Sequence, residues 1–325
     1  MNFAKCAAWA VACLATATGA YAQGGAADYP NKPVRWVVPF TPGASNDIIA
    51  RLMGAKLGDA WGQQFIIDNR PGAGGSIGAE TVVKANPDGY TLLLANPGPS
   101  VNTPLLLKRA SYKVGDFTPI VFIGYAPLII LTNPGFAPRN PKELIEYAKG
   151  NPGKINWGSS GNGSSLHIGL ALLQGATGIQ VQHVPYKGSG PAITDLIAGQ
   201  IQAMHTTTVS AESQIKAGRV RVVGVASAKR LTLLPDVPTL AESGIKDAEA
   251  IVWFGMAGPG GLPRAIVDKL NREVNKALAL PDVKQRLDQL GLEVAGGTPQ
   301  EFAAFVKNEA AKVTKLIKAG LLRAE

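Results

Sequence analysis

A chain of 325 residues with 46% apolar and 17% charged residues has an ordinary globular composition, which excludes intrinsic disorder and leaves room for two α/β domains. The formal charge of +9 is spread through the chain, with no basic run longer than Lys108-Arg109 or Lys229-Arg230, and aromatics make up only 6%. Nucleic-acid binding needs a clustered basic face, preferably with stacking rings, so that class is set aside.

The first residues combine Lys5, an apolar stretch from Cys6 to about Thr18 and the small-residue pattern Ala20-Tyr21-Ala22. This is the pattern of a secretory signal peptide, residues 1–22, cleaved after Ala22. The apolar stretch is well short of the roughly 20 residues a spanning helix needs, and no later segment is long enough either. Both cysteines, Cys6 and Cys13, fall inside the segment to be removed, which rules out a disulfide framework and a cysteine-based zinc site in the exported chain. A lipoprotein site at Cys13 would leave the preceding apolar run very short.

From Lys32 onward, short β-branched runs alternate with amphipathic helical stretches and turn residues mark the junctions, the α/β pattern. The spacing predicts strands over Val34 to Val38, Phe65 to Asp68, Thr91 to Ala95, Ile120 to Ile123 and Lys154 to Trp157. Helices between them carry buried stripes, Ile48, Ile49, Leu52 and Met53 on the first and Ile77, Val82 and Val83 on the next. Asn140-Pro141-Lys142-Glu143 supplies an N-cap, a first-turn proline and a reciprocal glutamate, and Gly150 ends that helix. Thr298-Pro299-Gln300-Glu301 repeats the arrangement ahead of a C-terminal helix with the stripe Phe302, Phe305, Val306, Val313, Leu316 and Ile317, ending at Gly320.

Two loops have the composition of neutral anion seats. Residues 39–47, PFTPGASND, leave the first strand and enter a helix, where free amides attract anions without charged side chains. The same residues also read as a plain strand-to-helix turn capped by Ser45 or Asn46. Residues 158–165, GSSGNGSS, repeat the theme, with glycines that permit close backbone approach and hydroxyls that donate, although a surface turn has the same composition. Neither loop fits a nucleotide fingerprint, since the sixth position of GxGxxG is Leu166 or Ile77. The chain has no HExxH motif and no acidic or histidine cluster with metal spacing; His167, His183 and His205 are scattered. Further on, VPYKGSGPAITDLIAG at 184–199 reads as a strand end, a turn and a helix from near Pro191. The next strand ends in His205 and Thr206 to Thr208, where side chains commonly face the crevice of an α/β sheet.

Taken together, these segments resemble the solute receptors of tripartite tricarboxylate transporters, the Bug or TctC-like family. The resemblance runs over essentially the whole mature chain. Its marks are YPNKPVRWVVPFTPGASND at 29–47, DNRPGAGGSIGAE at 68–80, NPDGYTLLLAN at 86–96, NPGKINWGSSGNGSS at 151–165, VPYKGSGPAITDLIAGQ at 184–200, SAKRLTLLPDVPTLAESG at 227–244 and WFGMAGPGGLP at 253–263. It implies an α/β, two-domain periplasmic-binding-protein-like fold of type II with a hinge and an interdomain ligand cleft. Domain 1 would comprise 28–126 and 227–325 and domain 2 would comprise 127–226, with crossings near Ala126 and Ala226. A monomeric periplasmic receptor without cofactor or metal is implied, which captures a small carboxylate and hands it to membrane permease subunits or to a sensor.

The site residues implied are Phe40, Gly43, Ala44, Ser45 and Asp47 in the first loop, with Asp47 a helix-start residue before a ligand contact. Ser159, Ser160, Asn162 and Ser164 occupy the second loop, and the carboxylate is expected on backbone amides, hydroxyls and bridging water. Tyr186 and Lys187 match the PYKG turn beside the cleft, and His167 stands where the family commonly has histidine. Two segments depart from the family pattern, NPGPS at 96–100 and His205 to Thr208. Both fall at the distal part of the ligand, which places Asn96, His205 and Thr206 there. The competing reading is a secreted hydrolase that pairs Ser160 or Ser164 with His167, His183 or His205, but no third group in the spacing orients such a pair.

Overall fold

The computed structural model describes residues 28–107, 110–320 and 322. The signal peptide and both cysteines therefore lie outside the described residues. In chain order the strands are β1 (Val34–Val38), β2 (Phe65–Asn69), β3 (Thr91–Ala95), β4 (Phe117–Pro127), β5 (Ile129–Thr132), β6 (Asn156–Ser159), β7 (Gln182–Pro185), β8 (Ala203–Thr206), β9 (Arg221–Val225), β10 (Ile251–Pro259) and β11 (Glu293–Val294). The helices are α1 (Ser45–Trp61), α2 (Ser76–Val83), α3 (Thr103–Leu106), α4 (Pro141–Gly150), α5 (Ser165–Thr177), α6 (Ser189–Ile197), α7 (Thr208–Lys216), α8 (Arg264–Ala279), α9 (Pro281–Leu290) and α10 (Pro299–Lys318).

The strands sort into two mixed sheets. The first runs β11-β4-β10-β3-β1-β2 and the second β7-β6-β8-β5-β9. The first therefore takes its strands from both ends of the chain and the second from the middle. β1 lies parallel between β2 and β3, and β6 lies parallel between β7 and β8, each pair joined through a helix as parallel neighbours require. We refer to each sheet with its helices as a lobe.

The lobes are joined where β4 runs into β5 and where the chain leaves β9 and enters β10. Three backbone hydrogen bonds close a ring at this crossing: the Leu128 amide to the Ala250 carbonyl (2.9 Å), the Ala250 amide to the Ala226 carbonyl (2.9 Å), and the Ala226 amide to the Leu128 carbonyl (2.8 Å). All three residues are buried, so the ring meets the rule that interior backbone groups be paired while binding the connecting segments to one another. Between Ala226 and Ala250 the chain turns back along the second sheet. The Val225 amide reaches the Pro238 carbonyl at 3.1 Å and the Leu240 amide reaches the Val225 carbonyl at 2.9 Å. The junction thus holds three segments of chain at Leu128, Ala226 and Ala250, where the family resemblance implies two crossings, near Ala126 and Ala226.

Most of the expected elements form where their apolar periodicity places them, with differences at the edges. β4 runs several residues beyond both ends of the expected Ile120 to Ile123, because β10 pairs with it along its whole length through two register shifts. β6 begins at Asn156 and not at Lys154. Ile77, expected in a buried stripe, is 50% exposed, because α2 turns Ala79 and Val82 inward instead. The Asn140 cap forms, but Glu143 reaches the Arg139 amide at 2.8 Å in place of the Asn140 amide. At Thr298 the full reciprocal box forms, with the Glu301 amide on Thr298 Oγ1 at 3.2 Å and the Thr298 amide on Glu301 Oε2 at 2.8 Å.

That cap sets the entry angle of α10, which lays its aromatic stripe on the first sheet. Phe302 is buried, stacks on Phe122 with centroids 5.7 Å apart and meets Trp253 edge-on. The ring fits because position 255 beneath it has no side chain: a Cβ on Gly255 would overlap the Phe302 ring and come within 2.9 Å of the Val121 carbonyl. Gly255→Ala is therefore expected to lower the unfolding free energy by about 1–3 kcal/mol, the usual cost of overpacking, in urea titrations of the mature protein. Unchanged stability would mean that α10 shifts on the sheet without cost.

Candidate functional site

A small polar cavity lies between the lobes, at the carboxyl ends of β1, β3, β6 and β8. This is where open α/β sheets hold ligands, because side chains and helix starts converge there while the strands remain packed. Phe40, Ala44, Ser45 and Asn46 line it from the first loop, and Asn96 and Val252 from the ends of β3 and β10. Ser160, Ser165 and Leu166 line it from the second loop, and Ser189, Thr206, Thr207 and Ser210 complete the wall.

No lining residue is charged. The polar component is hydroxyls, two carboxamides and the N-termini of α1, α5, α6 and α7, each at least nine residues long. Free amides and the aligned peptide dipoles at these ends give the cavity a positive potential without a cationic side chain. In α1 the Ser45 amide donates to Ser210 Oγ at 2.9 Å and the Asp47 amide to the Ala44 carbonyl at 2.9 Å, while the Asn46 amide between them has no partner among the described residues. In α5 the Ser164 hydroxyl takes the His167 amide at 3.3 Å, leaving the first-turn amides of Ser165 and Leu166 at the wall. Buried Asn46 Nδ2, Asn96 Oδ1 and Thr206 Oγ1 also lack a partner among the described residues. Each is a desolvated polar group whose cost is recovered only when a ligand or water pairs with it.

Ser210 ties the cavity together. Its hydroxyl receives the Ser45 amide from the opposite lobe and lies 3.3 Å from both Ser189 Oγ and Thr207 Oγ1. Close backbone contact elsewhere along the seam depends on glycine: a Cβ on Gly74 would overlap the Asn162 carbonyl and one on Gly188 would overlap Thr41 Oγ1, each across the gap between lobes. The lobes are therefore in contact around the cavity.

Of the residues expected from sequence, Phe40, Ala44, Ser45, Asn96, Ser160 and Thr206 are brought together on the cavity wall. The others serve behind it. Asp47 Oδ2 accepts the Gly43 amide at 3.0 Å, and its carboxylate also holds the Arg51 guanidinium at 2.9 Å. Burial opposes its charge, but the bonds from Arg51, Gly43 and Asn69 outweigh burial and hold its pKa below the usual carboxylate value. Gly43 and Asp47 thus shape the first loop without lining the cavity. Three amides of the second loop are engaged internally, Gly161 on Ser159 Oγ (3.1 Å), Gly163 on His167 Nδ1 (3.2 Å) and Ser164 on the Gly161 carbonyl (3.1 Å). The expectation that loop amides over 159–164 face a ligand is corrected for these three: Ser159 and Ser164 hold the loop, the Asn162 backbone packs on Gly74, and the wall is made by Ser160 and the start of α5.

Tyr186 points its hydroxyl to Asp195 Oδ2 at 2.7 Å and does not line the cavity. His205 is the clearest correction. Alternate residues of a strand point to opposite faces, so with Thr206 at the cavity His205 turns into the core, fully buried against Trp157 and opposite Gly169 of α5. Ser159 Oγ meets the His183 imidazole at Nε2, 2.6 Å away, a pair not weighed for a hydrolase, while Ser164 Oγ accepts the backbone amide of His167. Ser159 is fully buried and away from the cavity wall, so this hydroxyl has no route to a bound molecule. Asn46, Ser165, Leu166, Ser189, Thr207, Ser210 and Val252 were not singled out as site residues. The recurrent placement of Ser, Thr and Asn in first helical turns was the available signal for most of them. Among the described residues no cluster of three or more His, Cys, Asp or Glu could hold a metal, and no helix is long and apolar enough to cross a membrane.

Burial drives the His205 imidazole down to about 3, so it stays neutral in the folded protein while the unfolded side chain titrates near 6.5. A depressed folded pKa contributes stability that is complete above about pH 6.5 and is lost as the pH falls toward 3. Chemical unfolding between these limits should show stability declining with acidity, and His205→Leu should flatten part of that decline. An identical slope in the variant would mean that the buried ring does not titrate on unfolding.

Residues 49–322 match the family described as tripartite tricarboxylate transporter family receptor. A protein encoded in the tcbD-tcbE intergenic region of Pseudomonas sp. strain P51 is 41% identical over 291 residues, 89% of this chain and 86% of the relative. Among solved structures, Rpa4515 of R. palustris with adipate is 35% identical at a TM-score of 0.87, covering 90% of this chain and 98% of that one. MatC of Rhodopseudomonas palustris with bound malate is 32% identical at a TM-score of 0.85, covering 89% and 100%. The likeness extends over both lobes, and the fold is the two-domain fold of these binding proteins.

Proposed function

The chain belongs to the tripartite tricarboxylate transporter receptor family, and from that premise we propose that it captures a small dicarboxylate between its lobes and delivers it to the membrane subunits of such a transporter. The observation that carries the ligand class is the cavity wall, in which four helix N-termini and neutral hydroxyl and amide groups converge with no charged side chain among them. A carboxylate finds donors at each end of such a wall, whereas a cation finds positive dipole ends and no carboxylate. The bound adipate and malate of two relatives support the same class, as both are short chains with a carboxylate at each end.

Binding in this reading is coupled to closure. The domains are 28–126 with 227–325 and 127–226, the Leu128–Ala226–Ala250 ring is the hinge, and the Ser45–Ser210 bond closes over the ligand. The chain acts as a monomer in the periplasm after removal of residues 1–22, without catalysis. A buried Ser159 and the lack of an oriented nucleophile at the wall support the non-enzymatic role.

A thermal-shift screen of the mature protein against C4 to C6 dicarboxylates tests the ligand class, since a ligand at about 100 times its Kd adds about 2.7 kcal/mol of stability. A shift from malate or adipate, with the compound recovered unchanged, is expected. A shift from cationic or neutral compounds alone would rule the carboxylate assignment out. Ser160→Ala should weaken the dicarboxylate by about one neutral hydrogen bond, on the order of 1 kcal/mol or about fivefold in Kd by calorimetry. Unchanged affinity would remove Ser160 from the contacts.

A further inference from the structure

The second loop is held from behind by two imidazoles that line no part of the cavity. His167, in the first turn of α5, and His183, in β7, are stacked with centroids 4.1 Å apart and planes at 3°. His183 Nε2 is 2.6 Å from Ser159 Oγ, and the same oxygen accepts the Gly161 amide at 3.1 Å. A serine hydroxyl has one proton to give, and its alternative acceptor, the Gly161 carbonyl, is 3.4 Å away. The shorter contact assigns that proton to Nε2, which makes His183 an acceptor there with its own proton on Nδ1. On the other ring the Gly163 amide donates to His167 Nδ1 at 3.2 Å, which places that proton on Nε2. Each ring thus accepts a bond from the loop at an atom that a protonated imidazole could not offer.

We infer that His183 and His167 are positioning residues for ligand capture: as a neutral stacked pair they anchor Gly161 and Gly163 and so hold Ser160 and the α5 amides at the cavity wall. The inference rests on the dicarboxylate reading of that wall. The elements that carry the pair, α5 and β7, have no charged side chain of their own. α5, β6 and residues 160–164 contain none, β7 places Gln182 and Val184 beside His183, the opposing loop at Gly74 and Thr103 is neutral, and beyond β7 Tyr186 and Asp195 are bonded to each other. Burial, then the neighbouring His167, hold His183 down to about 4. With a folded pKa below the free value near 6.5, the neutral arrangement is favoured by folding, complete above that value and lost as the pH falls toward 4.

Two measurements test the inference separately from the ligand class. In ligand-free mature protein at about pH 7.5, imidazole ¹⁵N spectra should show Nδ1–H on His183 and Nε2–H on His167, with the Gly161 and Gly163 amides shifting as His183 titrates near 4. An Nε2–H tautomer on His183, or titration near 6.5, overturns the inference whatever the protein binds. The second measurement compares malate affinity in His183→Phe, which keeps a stacked ring but no acceptor, and His183→Gln, whose carbonyl can accept from Ser159. Phe should weaken malate about five- to tenfold and Gln should stay within about threefold of the native protein. The reverse order would make the pair mere packing and would sink the inference while leaving the dicarboxylate reading intact. Failure of the native protein to bind malate or adipate counts against that reading, and the ¹⁵N spectrum then decides the inference alone.

Discussion

The constraint on which this structure depends is that a cavity closed between two lobes must offer charge complementarity without burying a charged side chain. An unpaired ammonium or carboxylate in such a place would have to leave water at a cost of several kcal/mol or surrender its charge. Helix ends avoid that penalty, because their potential comes from peptide groups that are polar in any fold and already oriented by intrahelical bonding. Four of them meet here, α6 and α7 from before and after the second sheet's β8 and one from each loop that leaves β1 and β6. The charged residues nearest these loops work outside the wall, as Asp47 does when it binds the Gly43 amide and Arg51.

Everything beneath the cavity serves to bring those ends together. Parallel pairing of β1 with β3 and of β6 with β8 sets their carboxyl ends side by side, so the loops following them project into a common space. The crossing at Leu128, Ala226 and Ala250 binds the segments that join the two sheets through backbone bonds, which survive changes of side chain better than a packed interface does. At the seam, Gly74 and Gly188 allow backbone from one lobe to approach the other to a distance that any Cβ would forbid. The same requirement explains Gly255, where α10 brings Phe302 against β10 and secures the end of the chain to the first sheet.

Much of this was legible in the residues. Alternating β-branched runs and capped amphipathic stretches placed most elements within a few residues, and the capping signals at Asn140 and Thr298 were readable because a cap is a local bond between neighbours in sequence. The boundaries of β4 and β6 were not, since strand length is set by a partner distant in the chain. Phe40, Ala44, Ser45 and Ser160 were named as site residues through the family resemblance, in loops whose composition suits an anion seat, while Ser189, Ser210 and Val252 come to the same cavity through three separate elements with no motif in common.

What the amino-acid order determined by itself was the set of parts: an α/β chain, two glycine- and serine-rich loops opening helices, and no basic cluster or metal motif with a competing chemistry. Tertiary structure decided which atoms of those parts are used. It turned Thr206 to the cavity and His205 into the core, because strand neighbours face opposite ways and only the position of the sheet says which way is inward. It also spent the Gly161 and Gly163 amides on Ser159 and His167 and left the wall to Ser160 and the start of α5, since the His167–His183 stack joins two elements that sequence spacing alone cannot bring into contact.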